Sequence, residues 1–166
     1  MSQGATLDIL KNAILLERRG RAYYRKVAEQ AENAAVKQFF EFMAEEEAQH
    51  ISLLADQYKS FKSEGQVRAI SGESHPSHDA ARVLTEQIKS QIAAAGFEAA
   101  AVSAAMAMEE RAIRMYAQRA QDATDSHEKA LFAWLADWEK EHLEMLAGID
   151  RELTETVWND NSFWPM

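Results

Sequence analysis

The chain contains no cysteine. That excludes disulfides, iron–sulfur clusters, an iron held by four thiolates, and thiol catalysis. It also fits a reducing compartment. Only two prolines and six glycines interrupt the 166 residues, so few positions oppose helix. No apolar run reaches the roughly 18 residues that a membrane span needs, so no membrane association is expected. The first residues lack the basic–apolar–small pattern of a leader, which with the missing thiols sets a cytoplasmic expectation. Positive charge is scarce: 18 Lys and Arg stand against 27 Asp and Glu, a net charge of −9. Nucleic-acid binding needs a basic surface, so no nucleic-acid partner is expected. The acidity suits a solvated surface or an interior that takes up cations.

The residues that are present favour helix, with abundant Ala, Glu, Leu, Gln, Lys and Arg, and the length suits one domain with a real core. Four long segments carry a helical period. The first runs about 6–32, with Leu10, Ile14, Tyr24 and Ala28 on its stripe and Thr6 as its expected N-cap. The second runs about 34–61, capped by Asn33, with Phe40, Met43, Leu54 and Phe61 on one face. The third runs about 97–122. The fourth runs about 126–154, and Asp125 with Glu128 predicts a capping box at its start.

Connections within each pair are short, which predicts antiparallel neighbours. Residues 62–96 hold Gly65, Gly72 and Pro76 and then a further helical pattern ending at Gly96. A connection of that length can travel the height of a bundle. The expected fold is therefore an all-α four-helix bundle, in one domain over 1–166. Hairpin 1 covers about 6–61, a crossover with a short extra helix covers 62–96, and hairpin 2 covers about 97–153. An aromatic tail follows at 154–166.

The two hairpins repeat each other. "LERRGRAYY" (16–24) matches "MEERAIRMY" (108–116), and "FFEFMAEEEAQHISLL" (39–54) matches "LFAWLADWEKEHLEML" (131–146), at one offset of 92 residues. Glu17 meets Glu109, Glu47 meets Glu139, His50 meets His142, and Tyr24 meets Tyr116. Glu47 and Glu139 each have a His at i+3, on the same helical face. Each lies four residues after an inward apolar position, Met43 or Leu135. Glu17 and Glu109 fall on the stripes of their own helices. Four carboxylates and two imidazoles thus converge in the middle of an apolar bundle.

Such a cluster cannot stand uncompensated. Buried like charges repel, and each buried ion costs several kcal/mol. Two divalent cations cancel four carboxylates, with two neutral imidazoles completing the set. One Glu from each of two helices and Glu-x-x-His from each of the other two is a dinuclear carboxylate constellation. Oxygen and imidazole donors without thiolate suit iron or manganese, and zinc also fits.

These residues resemble the rubrerythrin-type branch of the ferritin-like superfamily, over about 6–61 and 97–153. The resemblance rests on "LERRGRAYYRKVAE" with "EEEAQH" and "MEERAIRMYAQRA" with "EKEH". It implies two iron ions held by Glu17, Glu47, His50, Glu109, Glu139 and His142, with Glu47 and Glu139 as the bridges. Tyr24 and Tyr116, two turns beyond Glu17 and Glu109 on the same faces, would hydrogen-bond ligand carboxylates. It further implies an oxidoreductase of ferroxidase or peroxidase type, reacting with O2 or H2O2. Two departures stand out. Prototype members carry a rubredoxin module, whereas this chain has no cysteine, so electrons would come from an external donor or from the iron itself. They also carry an extra glutamate one turn after the third helix's ligand. Here that position is Ala112, with Gly20 as its repeat mate. That glutamate is tied to the family's peroxidase ligand exchange, and its absence weighs against efficient peroxide reduction.

Two other readings compete: iron storage or handling without catalysis, and a bundle braced by metal whose tail binds a partner. Storage needs a hollow shell of many chains, whereas a homodimer is expected here. The remaining features have plainer readings. His75 and His78 read as loop polars, and His127 as a solvated residue of the fourth helix's first turn. Glu45 and Glu46 read as a solvated face. "AAAVSAAMAM" reads as small residues that let helices approach. Trp134 and Trp138 are expected against a neighbouring helix or subunit. Trp158, Phe163 and Trp164 are expected to fold back or enter a dimer contact.

Overall fold

The computed structural model describes residues 3–70 and 96–159. They form four helices: α1 (Gln3–Gln30), α2 (Ala34–Glu64), α3 (Gly96–Asp122) and α4 (Ser126–Asn159). No strand occurs among the described residues. None of the described helices is long and apolar enough to cross a membrane. The expected extra helix of the crossover, His75 and His78, and the tail from residue 160 lie outside the described residues, as does the side chain of Trp158.

Each hairpin turns through three residues, 31–33 and 123–125. Asn33 adopts an extended backbone, and its Oδ1 accepts hydrogen bonds from the N–H groups of Ala35 (2.8 Å) and Val36 (3.3 Å). This satisfies donors that the first turn of α2 leaves open. Asp125 Oδ1 accepts from the Glu128 N–H at 2.9 Å. Only that half of the predicted capping box forms. The Glu128 side chain is buried and pairs with Arg119 of α3 instead, whose Nε donates to it at 3.0 Å. The Thr6 cap is also corrected. Helix α1 begins at Gln3, and Thr6 is buried within it. Its spacing to buried Leu10, Ala13 and Glu17 places it on the inner stripe, where packing decides its role.

Helix α2 stops at Gly65, whose φ of 75° is the left-handed conformation that glycine adopts freely, and its N–H bonds the Phe61 carbonyl at 2.9 Å. The chain then doubles back along α2. The Gln57 side chain accepts from the Arg68 N–H at 2.9 Å and donates to the Arg68 carbonyl at 3.2 Å, as a strand neighbour would. Exposed His127, at the start of α4, lies 3.2 Å from the Val67 carbonyl oxygen through Nδ1. The end of α2 and the start of α4 therefore share one end of the bundle, so α2 and α3 run parallel, as the long crossover predicts.

The core divides into two clusters. One joins Tyr24, Val36, Phe39, Phe40 and Met43 to Val102, Ala105, Leu146 and Ile149. The other joins Leu10, Ala13 and Leu54 to Tyr116, Leu131, Phe132 and Leu135. Repeat mates lie in opposite clusters: Tyr24 and Tyr116, Phe40 and Phe132, Met43 and Leu135, Leu54 and Leu146. The repeat is thus a pseudo-twofold axis across the bundle that exchanges its ends. Complete burial of a Phe or Leu contributes about 1.5–3 kcal/mol, so these two clusters anchor the helices. Between them lies a polar layer.

Candidate metal centre

The polar layer draws on all four helices. Glu17 comes from α1, Glu47 and His50 from α2, Glu109 from α3, and Glu139 and His142 from α4, and all six are buried. The imidazoles of His50 and His142 lie nearly parallel, with ring centres 5.5 Å apart. Glu17, Glu47, His50 and Glu139 bring ligand atoms within 4.8 Å of one another, and so do Glu47, Glu109, Glu139 and His142. Glu47 and Glu139 belong to both groups. The arrangement is two adjoining donor groups, each able to hold a cation, that share two carboxylates.

Local geometry shows what such a site lacks within the protein alone. His50 Nδ1 stands 3.0 Å from Glu17 Oε2, 3.0 Å from Glu139 Oε1 and 3.3 Å from Glu47 Oε2. One N–H proton cannot serve three carboxylates. Glu47 Oε2 and Glu139 Oε1 accept no hydrogen bond, although both are buried. A nitrogen and three oxygens converging on one point is the donor set of a hard or borderline cation. In the other half, His142 Nδ1 lies 3.1 Å from Glu139 Oε2 and 3.8 Å from Glu109 Oε1. The residues fit two metal ions.

Electrostatics give the same picture. Burial, reinforced by the charges of Glu139 and Glu47, pushes the Glu17 carboxyl well above the usual carboxylate range. Burial and Glu139 do the same to Glu109. Burial also opposes charge on Glu139, yet His50 and His142 hold its pKa low. For both imidazoles burial favours the neutral form but is outweighed: Glu139 and Glu17 raise His50, and Glu139, Glu46 and Glu109 raise His142. Protons thus gather where cations would stand, and metal binding to such a site releases them.

The tyrosines cross between hairpins. Tyr24 of α1 donates to Glu109 of α3, and Tyr116 of α3 donates to Glu17 of α1. Each acid is held by the repeat mate of the tyrosine on its own helix. Burial and the Glu109 charge raise Tyr24 well above an ordinary phenol, so it stays a donor.

One face is open. A cavity of about 330 Å³ between α1 and α3 reaches Glu17, Glu47, Glu109 and Glu139. Leu16, Met108, Ala112 and Tyr23 form walls, and the exposed Arg19 and Arg111 stand at the rim. Small residues create the opening. A Cβ on Gly20 would lie 2.9 Å from Glu47 Oε1, so glycine there gives that carboxylate its place.

Glu46 is a correction to the sequence reading. Glu45 is exposed, but Glu46 is only 3 % exposed and its Oε2 accepts the Trp138 indole N–H at 3.0 Å. The signal for its burial was the repeat itself: its mate is Trp138, a large aromatic that packs edge-on against His50 with ring centres 4.2 Å apart. Trp138 thus packs inside the bundle of its own chain.

Compared with known families, residues 8–149 match the rubrerythrin family model, a span that includes all six polar residues of the layer. No curated protein and no solved structure matches the chain.

Proposed function

The chain belongs to the rubrerythrin family, and from that premise we propose that its bundle holds two iron ions and reacts with a small oxidant, O2 or H2O2. The observation that carries this reading is the pair of donor groups sharing Glu47 and Glu139. In it, Glu17 and His50 would hold one ion, Glu109 and His142 would hold the other, and Glu47 and Glu139, common to both groups, would serve both. When bound, the ions supply electrons and Lewis acidity.

The chain's own residues do the rest. Tyr24 and Tyr116 keep Glu109 and Glu17 oriented from the opposite hairpin. The two apolar clusters exclude water above and below the layer. Access is left to the cavity between α1 and α3, which suits a small molecule. Ala112 presents only a methyl group there, where the family's additional glutamate stands. The ligand exchange tied to peroxidase activity then lacks its group, so we rank oxidation of ferrous ion by O2 ahead of peroxide reduction. Further turnover draws electrons from an external donor.

The test is metal analysis of protein purified without oxygen, followed by addition of O2 and, separately, H2O2. Two iron ions per chain and an oxo-bridged diferric absorption after oxidation support the proposal. Two zinc ions and no response to either oxidant would sink it.

A further inference from the structure

Each of the six ligand candidates and both tyrosines has a repeat mate of the same type, but Glu46 does not. Glu46 on α2 corresponds to Trp138 on α4. The two meet, and they stand behind different imidazoles. Glu46 Oε2, which accepts from Trp138, also lies 3.8 Å from His142 Nε2. Its other oxygen accepts from Gln49 Nε2 at 3.3 Å. His50 has no such neighbour. The Nε2 atoms of both imidazoles are buried without a hydrogen bond, but among the described residues only that of His142 has a carboxylate nearby, while the indole of Trp138 covers the edge of His50.

A metal-ligating imidazole whose second nitrogen faces a carboxylate is fixed in one tautomer and is a more basic donor. The Nδ1 of each imidazole faces the cluster of carboxylates. Nε2 is therefore the outward nitrogen, and only that of His142 has an acid within ion-pair reach. Burying a carboxylate costs several kcal/mol unless positive charge stands near it. Neither Trp138 nor Gln49 carries any. A cation held by His142 would answer that need.

We propose that Glu46 is a positioning residue for His142 and makes the two metal sites unequal, with the Glu109–His142 half binding its ion more tightly than the Glu17–His50 half. This rests on the dinuclear reading above and goes beyond it by ranking the halves.

The experiment is calorimetric titration of metal-free protein with Co(II) under anaerobic conditions, with the Co(II) visible bands recorded at each addition. The wild-type chain binds two ions in two resolved steps. His142→Ala removes the tighter step and His50→Ala the weaker. Glu46→Gln keeps the size and the acceptor for Trp138 but loses the charge. It weakens the tighter step about 10–100-fold and perturbs the bands of that step alone. Glu46→Asp restores part of the affinity. Trp138→Phe, which keeps a ring against His50, weakens the same step by less. Two equal affinities in the wild type would overturn the inference while leaving the dinuclear reading intact. So would a Glu46→Gln variant that shifts both steps alike or neither. Fewer than two ions per wild-type chain would overturn both readings.

Discussion

Tyr24 of α1 donates its hydroxyl to Glu109 of α3, a residue 85 positions further along the chain. Tyr116 returns the same bond to Glu17. Tyr24→Phe therefore acts on the half of the site that contains Glu109, and Tyr116→Phe on the half that contains Glu17. Each variant should weaken one of two metal-binding steps about 10–100-fold. Isothermal titration with Co(II) reads this directly. A tyrosine variant that weakens the step belonging to its own helix's acid would contradict the crossed arrangement.

Shared and unshared acids should differ. Glu47→Ala and Glu139→Ala remove a carboxylate common to both donor groups, whereas Glu17→Ala and Glu109→Ala each remove one from a single group. The first pair should lose both ions, or retain at most one loosely. The second pair should retain one. Metal content after gel filtration distinguishes them, and equal loss in all four variants would argue against bridging.

The metal-free protein should lose stability as pH rises. Glu17 and Glu109 hold protons more tightly folded than unfolded, above their ordinary 4.5, and His50 and His142 do so above 6.5. Folding then takes up protons, and stability falls from about pH 4.5 upward, more steeply once the imidazoles join. Glu139 works in the opposite sense, but its contribution is lost only in acid. Metal replaces those protons, so affinity rises with pH. Thermal unfolding with chelator and with Zn(II), across about pH 5–8, should show a gap in Tm that widens with pH. Parallel curves would contradict the proton–metal exchange.

Gly20→Ala should separate stability from binding. Alanine in a helix interior is worth about 0.8–1 kcal/mol over glycine. Without metal no ion fixes the end of the Glu47 side chain, which can shift aside, so Tm should rise by roughly 2–4 °C. With metal, the new methyl group stands 2.9 Å from where Glu47 Oε1 belongs, and affinity should fall. Unchanged affinity would show that the carboxylate can rest elsewhere.

The fold was legible because period and repeat coincide. Apolar stripes on four segments, Asn33 and Asp125 at the starts of two of them and one constant offset give the hairpins, these N-caps and the convergence of six polar residues, whereas Gly65, read as a breaker in the crossover, is the C-cap of a helix three residues longer than expected. Glu46 was not legible from its neighbours, because three consecutive glutamates read as a solvated run. Which of them turns inward depends on Trp138 across the bundle. Thr6 failed as a cap for a related reason: its place on the buried stripe overrides its local preference. Glu128 likewise answers a tertiary partner, Arg119, that no short-range pattern contains. The crossing of the tyrosines could not be read from spacing, which places each tyrosine on a face without saying which hairpin that face meets.

The pseudo-twofold axis has a consequence for the chain as a covalent object. Each hairpin supplies one tyrosine to the other's acid, and Glu47 and Glu139 each serve both halves, so neither hairpin can complete a site by itself. Split between residues 70 and 96, the molecule would become two fragments that still share the two apolar clusters, and divalent ions at the polar layer would tighten their adhesion while a chelator would loosen it.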